Sequence, residues 1–514
     1  MRRLLKILLL LALFLGFNQA HAQTNPNNAL LYSYQSTLFT EQGASNDPLS
    51  VVMPGTAFPA SFGSVIDNPA SMALFQKSFM DFGLNYRNVE EDALFLGQSR
   101  VLDDNQGGIS NIGFLYKYPT IRGSFVMGAG YTQHSVYNRA LGFRARNENS
   151  TITDKFKYDG SPYQDIAYNT FATDFGDEFE DWDESILRIG FDRFGDFLGI
   201  RQQGEIIQQG RTGEYTMFVA TEFQENLMIG ASVGITTGRF DYDRLFQEVD
   251  EFNDYDGDLI DSSGDGVGDT DIDNIILEDR VKSTFHNVKV RGGLVYRLTD
   301  FFNVGVSHER GSRLNVDEDF DARIISTFDN GVEFEDDEAF EFRYRVQTPS
   351  RTSIGAAIHD LNNFSASLAV DYQDYAKTRI DFRDGSLFED EMAENDFIAE
   401  NFRSVWSFRG GVSYDISPQL SFRGGYSHIP SRFVDGDDHK NIFAFGAGIS
   451  LSENIRFEFA GQYTVWDEVS AVYDYAQYDY SPLPDNLPGI SFRSEVADRS
   501  VERWNLLGTL KVIF

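Results

Sequence analysis

Cysteine is absent from the 514 residues. That excludes a disulfide scaffold, thiolate catalysis, Cys-ligated zinc or iron–sulfur centres, and a lipid-modified cysteine. Basic residues are scarce: 43 Lys plus Arg stand against 79 Asp plus Glu, a formal charge of −36. Such a chain lacks the clustered cations that displace counterions from phosphate backbones, so sequence-independent binding of nucleic acid is excluded too. Proline is sparse, 13 residues against 45 Gly, 24 Tyr and 46 Phe, a balance that favours β-structure over coil. Long apolar runs are missing as well. Nothing downstream of residue 22 approaches the roughly 20 apolar residues that a spanning helix requires, so the chain either is soluble or crosses a membrane as strands.

What is present begins with a targeting pattern. Arg2, Arg3 and Lys6 precede an apolar run from Ile7 to Phe17, followed by Ala20-His21-Ala22. A basic start, a short apolar stretch and a small-x-small site are the marks of a secretory signal peptide. Cleavage after Ala22 is expected, giving an exported chain that begins at Gln23 with a formal charge of −39.

Period-2 alternation then recurs from residue 78 onward. Met80, Phe82, Leu84 and Tyr86 alternate with Asp81, Gly83, Asn85 and Arg87, and Ile229, Ala231, Val233 and Ile235 alternate with Gly230, Ser232, Gly234 and Thr236. The same pattern runs through Val288, Val290, Leu294 and Tyr296, through Phe364, Leu368, Val370 and Tyr372, and through Phe457, Phe459 and Tyr463. One apolar face and one small or polar face is what a barrel strand needs between lipid and lumen. Segments starting near 78, 108, 123, 212, 227, 283, 302, 340, 363, 402, 419, 440, 454 and 501 make fourteen strands. Their connections alternate in length, with long loops at 138–211, 243–282, 311–339, 377–401 and 467–500. The last segment places Trp504, Leu506, Gly508, Leu510, Val512 and Phe514 on one face, and a closing Phe resembles the signal by which outer-membrane barrels are recognised. The expected fold is therefore all-β: a 14-stranded antiparallel transmembrane β-barrel in the outer membrane. Side chains alone fill a barrel of about eight strands. Residues 23–77, rich in small residues and turn chemistry, are expected to form a plug in the lumen, with the barrel running from 78 to 514.

On these residues the chain resembles the FadL-type outer-membrane transport proteins for long-chain fatty acids and other hydrophobic compounds. Asn68-Pro69-Ala70 is similar to the NPA element of that family's N-terminal hatch, and Gln347-Thr348-Pro349-Ser350-Arg351 to its mid-strand TP.R segment. Ser421-Phe422-Arg423-Gly424-Gly425-Tyr426 and Phe445-Gly446-Ala447-Gly448-Ile449 resemble two of its later strands. The resemblance implies passive, ligand-gated diffusion: loops catch a hydrophobic molecule, it moves into the barrel, and a hatch at Asn68, Pro69 and Ala70 shifts. It also implies a sideways exit near a distortion in the third strand. Gly128 and Gly130 lie there and could open the wall or merely thin it. Two rivals are a general porin, against which residues 23–77 argue, and a non-transporting accessory component of a secretion or surface-attachment system.

The loops carry the remaining candidates. Leu187, Phe191, Phe194 and Leu198 are spaced for one helix face and suit either ligand capture or, the reading apolar stripes more often earn, a small loop core. From 243 to 282 fourteen acidic residues face three basic ones. Asp254, Asp256, Asp258, Asp261, Asp265 and Asp269, with interspersed Gly, resemble a Ca²⁺ loop, although the full EF-hand pattern fails. Such acidity also makes divalent-cation bridging to lipopolysaccharide an expectation. No two of His134, His286, His308, His359, His428 and His439 share zinc spacing, and no G-x-S-x-G elbow is present. A non-enzymatic monomer is expected.

Overall fold

The computed structural model of the protein describes residues 31–41, 46–156, 163–176, 179–188, 197–257, 259–479 and 489–514; the targeting segment lies outside them. Fourteen antiparallel strands follow one another around a closed ring. They are β1 (Phe79–Phe95), β2 (Gln98–Tyr118), β3 (Phe125–Val136 continued by Arg139–Asn147), β4 (Ile200–Gln224), β5 (Leu227–Val249), β6 (Ile272–Thr299) and β7 (Phe302–Glu309 continued by Arg313–Phe328). Then come β8 (Glu333–Gln347 continued by Arg351–Leu361), β9 (Phe364–Asp374), β10 (Ser404–Ser417), β11 (Leu420–Ile429), β12 (Lys440–Ser450), β13 (Ile455–Asp479) and β14 (Gly489–Ile513). Pairing of β1 with β14, from Phe79↔Ile513 to Phe95↔Ala497, closes the barrel.

The alternation seen in the sequence fixes which face is which, and it is inverted relative to a soluble protein. In β1, Met80, Phe82, Leu84 and Tyr86 are exposed, while Asp81, Asn85 and Arg87 are buried. In β6 the exposed face reads Val288, Val290, Leu294, Tyr296 and Leu298. Eleven residues at about 3.3 Å rise, tilted as barrel strands are, span about 25 Å, the height of a lipid-facing belt. Among the described residues no helix is long and apolar enough to cross a membrane. The chain crosses as strands.

Above the belt the same outward face of β6 turns polar: Glu278, Arg280, Lys282, Thr284 and His286 are all exposed. This explains where the structure departs from expectation. β2, β4, β6, β8 and β14 begin at residues 98, 200, 272, 333 and 489, seven to twelve residues earlier than their lipid-grade alternation suggests. The strands continue past the membrane, where nothing selects for an apolar outer face. Four of the long connections shrink accordingly, to 148–199, 250–271, 329–332 and 480–488, while 377–401 widens slightly to 375–403; most of the expected loop 311–339 is a hairpin of β7 and β8.

The barrel is not hollow. At its lower end Phe62, Val65, Ile66, Ala70, Met72 and Leu74 pack against Phe79, Leu115, Val126, Phe218 and Val295, which face inward from the wall. A second apolar cluster at the upper end joins Phe95, Phe143, Phe246, Leu277 and Ile324 of the strands to Ile152, Phe156, Ile166 and Leu187 of connection 148–199. The boundary of the belt is testable. Val290→Arg should destabilise the barrel by about 2–4 kcal/mol, as cations at the bilayer midplane do, and Thr284→Arg by about 0–1 kcal/mol. Guanidine unfolding in lipid vesicles measures both, and equal costs would place the belt elsewhere.

Candidate functional site

The segment 46–75 meets the wall backbone-to-backbone. Asn68 is fully buried; its Nδ2 donates to Thr56 O at 2.7 Å and to Leu294 O of β6 at 3.1 Å, while its Oδ1 accepts from Ala70 N at 2.9 Å. Pro69 opens the 3₁₀ turn Pro69–Leu74, where its fixed φ and missing N–H cost nothing. This approach needs glycine opposite it: a Cβ at Gly293 would lie 1.9 Å from Asn68 Oδ1, and one at Gly230 2.5 Å from Ala70 N. The three expected hatch residues are thus brought together against β5, β6 and β7.

Next to them sits a contact that sequence reading missed. Asp67 is buried, with Arg409 Nη2 at 2.8 Å and Arg351 Nη2 at 3.7 Å from its Oδ1, and Gly55 N donating to its Oδ2 at 2.9 Å. Both arginines also bind Asp371, at 2.8 and 3.0 Å. A carboxylate of the lumenal segment is therefore pinned to β8 and β10. Arg351 belongs to the TP.R-like motif, the one available signal; Asp67, Asp371 and Arg409 come from three separate stretches with no local pattern.

The third strand is distorted, but not at the expected glycines. Gly128 and Gly130 lie in unbroken ladders with β2 and β4. A Cβ at Gly130 would fall 2.6 Å from the Phe62 ring, so this glycine makes room for the lumenal segment. The break comes a few residues later. The β2–β3 ladder ends at Asn111↔Thr132, although β2 goes on pairing with β1 up to Phe95↔Gln98 and β3 with β4 through Asn147↔Ile200. Side chains bridge the gap: Asn138 Nδ2 donates to Asp104 at 2.7 Å and Arg100 pairs with Glu205 at 2.6 Å. Thr132 Oγ1, His134 Nε2 and Asn138 Oδ1 beside it are buried without a partner.

Above lies a cavity of about 1180 Å³ lined by aromatic residues including Tyr34, Phe240, Tyr242, Phe320 and Trp466, and by the charges of Arg244, Asp279, Glu468 and Arg499. Most of the charged side chains that line it are acidic, Asp435, Asp437, Asp438, Asp467 and Asp498 among them, and a group of cations gathers around Trp466. Arg139, Arg503 and Lys440 stand 5.3, 4.9 and 5.4 Å from the Trp466 ring centroid. Arg139 is paired with Glu91 at 2.7 Å and with Glu468, and Lys440 with Glu41 at 2.6 Å. Arg503 differs: Nη2 donates to Asn138 O at 3.3 Å and Nε has no partner. Arg87 is 5% exposed and meets no carboxylate among the described residues; the charge acting on it is that of Arg503.

The loop candidates are not assembled into a site. Leu187 is buried in the upper cluster and Leu198 is exposed, which separates two members of the proposed stripe; Phe191 and Phe194 lie outside the described residues, as does Asp258. The Asp261 carboxylate is taken up by the N–H groups of Gly264, Asp265 and Gly266, which hold it below the usual carboxylate range. Among the described residues no three Asp, Glu or His side chains are placed to hold a metal ion. Asp271, at the end of the same connection, is different. Its Oδ2 is buried without a partner, and burial pushes its carboxyl up to about 6, with Asp329, Asp250 and Asp256 acting in the same direction.

Two outcomes follow. Asp67→Asn removes a buried charge-assisted contact of about 1–3 kcal/mol, so hydrogen exchange across 46–75 should speed up at least about fivefold while the strands stay protected. Because the folded-state pKa of Asp271 is raised, its stabilising contribution is complete below the unfolded value and is lost as pH rises through about 6. Asp271→Asn should therefore protect connection 250–271 at pH 7.5 and make no difference at pH 4, read as exchange corrected for intrinsic rates.

No family model and no curated protein sequence matches the chain. Solved structures do. A Pseudomonas aeruginosa FadL homologue is similar at a TM-score of 0.52 and 11% identity, covering 92% of this chain and 99% of its own. The P. putida toluene transporter TodX is similar at 0.50 and 12%, with 92% and 99% covered. The closed ring of fourteen strands, its apolar belt and these likenesses agree: the chain is an outer-membrane β-barrel with the fold of the FadL-type channels.

Proposed function

We propose that the protein lets amphiphilic hydrophobic molecules, long-chain fatty acids foremost, diffuse passively across the outer membrane. In this reading the molecule enters the aromatic cavity, segment 46–75 acts as the hatch, and the lower end of the gap between β2 and β3, at residues 108–110 next to the last pair Asn111↔Thr132, is the sideways exit. The observation that carries the reading is the pairing of that cavity with Arg87 and Arg503 beneath it. Arg87 has no carboxylate partner among the described residues, and the carboxylates that act on Arg503, those of Glu41, Glu91 and Glu468, are in contact with other cations. This is an unfavourable arrangement in a low-dielectric interior, and a carboxylate head group bound beside them relieves it. A neutral hydrocarbon does not. The likeness to a FadL homologue and to a toluene transporter supports a hydrophobic ligand in general, and the arginines favour the anionic kind.

One observation favours a second reading, a barrel that serves an accessory surface role without transport. The lumen is crossed by ion pairs, Glu214 with Arg291 at 2.5 Å and Glu91 with Arg139 among them, rather than by a continuous apolar tunnel.

Uptake by vesicles reconstituted with the purified barrel separates the two. The double variant Arg87→Gln, Arg503→Gln should cut uptake of a long-chain fatty acid about tenfold or more, the value of one lost charge-assisted contact of about 1.4 kcal/mol, and change uptake of a neutral aromatic hydrocarbon less than about twofold. Equal losses for both ligands remove the head-group role. No uptake of either by the native protein favours the accessory reading.

A further inference from the structure

The helix α1 (Leu31–Thr40) precedes the lumenal segment, and two different extracellular connections grip its ends. At its N-terminus stands Glu394, in helix α2 (Phe388–Asn401) of connection 375–403. The Glu394 carboxylate accepts from Ser33 N at 2.8 Å and Tyr32 N at 3.2 Å, and from the Ser33 hydroxyl, which also lies 3.2 Å from the Glu394 backbone oxygen. The Tyr32 ring is held by Phe342, Tyr344 and Phe382, with centroids 5.3, 4.9 and 5.0 Å away. At the C-terminus stands Arg432, in the connection 430–439 between β11 and β12. It donates to the Thr37 carbonyl and, at 2.8 Å, to Glu41.

An anion at the N-terminus and a cation at the C-terminus match the helix dipole at both ends. Neither partner is close in sequence to α1 or to the other. α1 is thus seated by the cell-surface loops rather than by the barrel wall alone.

Its lower end is joined to the break in β3. Ser135 Oγ donates to Glu41 O at 2.8 Å, and Asn46 N donates to Gln133 O at 2.8 Å. Gln133 and Ser135 are where the β3–β4 register shifts, directly after the last β2–β3 pair. One short piece of chain therefore contacts connection 375–403 at its N-terminal end, and connection 430–439 together with the edge of the wall gap at its C-terminal end.

We propose that α1 is a mechanical link through which connections 375–403 and 430–439 hold the gap between β2 and β3 in its closed arrangement, so that displacing these loops from outside loosens the gap. Its consequence for passage rests on the transport reading above; the linkage itself does not. The lack of native cysteine makes the test clean, because Ser33→Cys with Glu394→Cys introduces the only two thiols, at positions whose side chains already touch. Backbone hydrogen exchange of the full-length barrel in lipid is read at residues 46 and 133–137. Glu394→Ala with Arg432→Ala should speed exchange there about tenfold or more, while β10 and β13 in the belt stay unchanged. The oxidised disulfide form should slow it relative to the reduced form and cut fatty-acid uptake severalfold, with recovery on reduction. Unchanged exchange at the break in the disulfide pair, oxidised against reduced, overturns the linkage even if the alanine variant fails to assemble. Absence of uptake in the native protein, with exchange responding as expected, counts against transport and leaves the linkage standing.

Discussion

Everything in this molecule follows from one requirement: within lipid each backbone N–H and C=O must find its partner in the chain. A ring of strands meets it only if it closes, and pairing Phe79 with Ile513 closes it. Closure puts lipid on the outside and so inverts the usual distribution, with Met80, Phe82 and Leu84 exposed and Asp81, Asn85 and Arg87 enclosed. Fourteen strands then surround more space than their own side chains fill. The lumenal segment, the ion pairs and the aromatic cavity are all answers to that surplus.

The balance of charge is resolved in space. The −36 of the whole chain is carried by acidic residues at the mouth and on the outward faces above the belt, such as Glu278, Asp317 and Glu341. Inside, Glu41, Glu91 and Glu468 are matched by Lys440, Arg139 and Arg499, while Arg87 and Arg503 contact no carboxylate among the described residues.

The sequence disclosed the fold where lipid selects residues. Alternation located every strand through its belt portion and the number fourteen, because a lipid-facing position tolerates little but apolar side chains. It failed above the belt, where water touches the outer face and the rule lapses: the upper halves of β2, β4, β6 and β8 look like loops. Asn68-Pro69-Ala70 was legible because backbone-to-backbone packing admits few residues. The Asp67 contact was not, since Asp67, Arg351 and Arg409 are drawn together only by closure of the ring. The third-strand glycines lie in the strand whose pairing breaks, but not at the break. Gly130 accommodates Phe62 and Gly128 the Phe218 ring, whereas the break further on is marked by ordinary residues, Gln133 to Asn138, with no glycine among them. Leu187 followed the bland reading of its stripe, packing into the upper core.

The length of the strands has a consequence for how the protein meets its surroundings. β6 contains 28 residues, of which the belt uses about eleven at the usual rise per residue. The remainder lifts the rim roughly as far above the bilayer as the bilayer is thick. The barrel is a chimney. Its opening therefore stands well clear of the membrane surface. For the same reason an antibody or phage would touch only the rim and its loops, the surface that also seats α1.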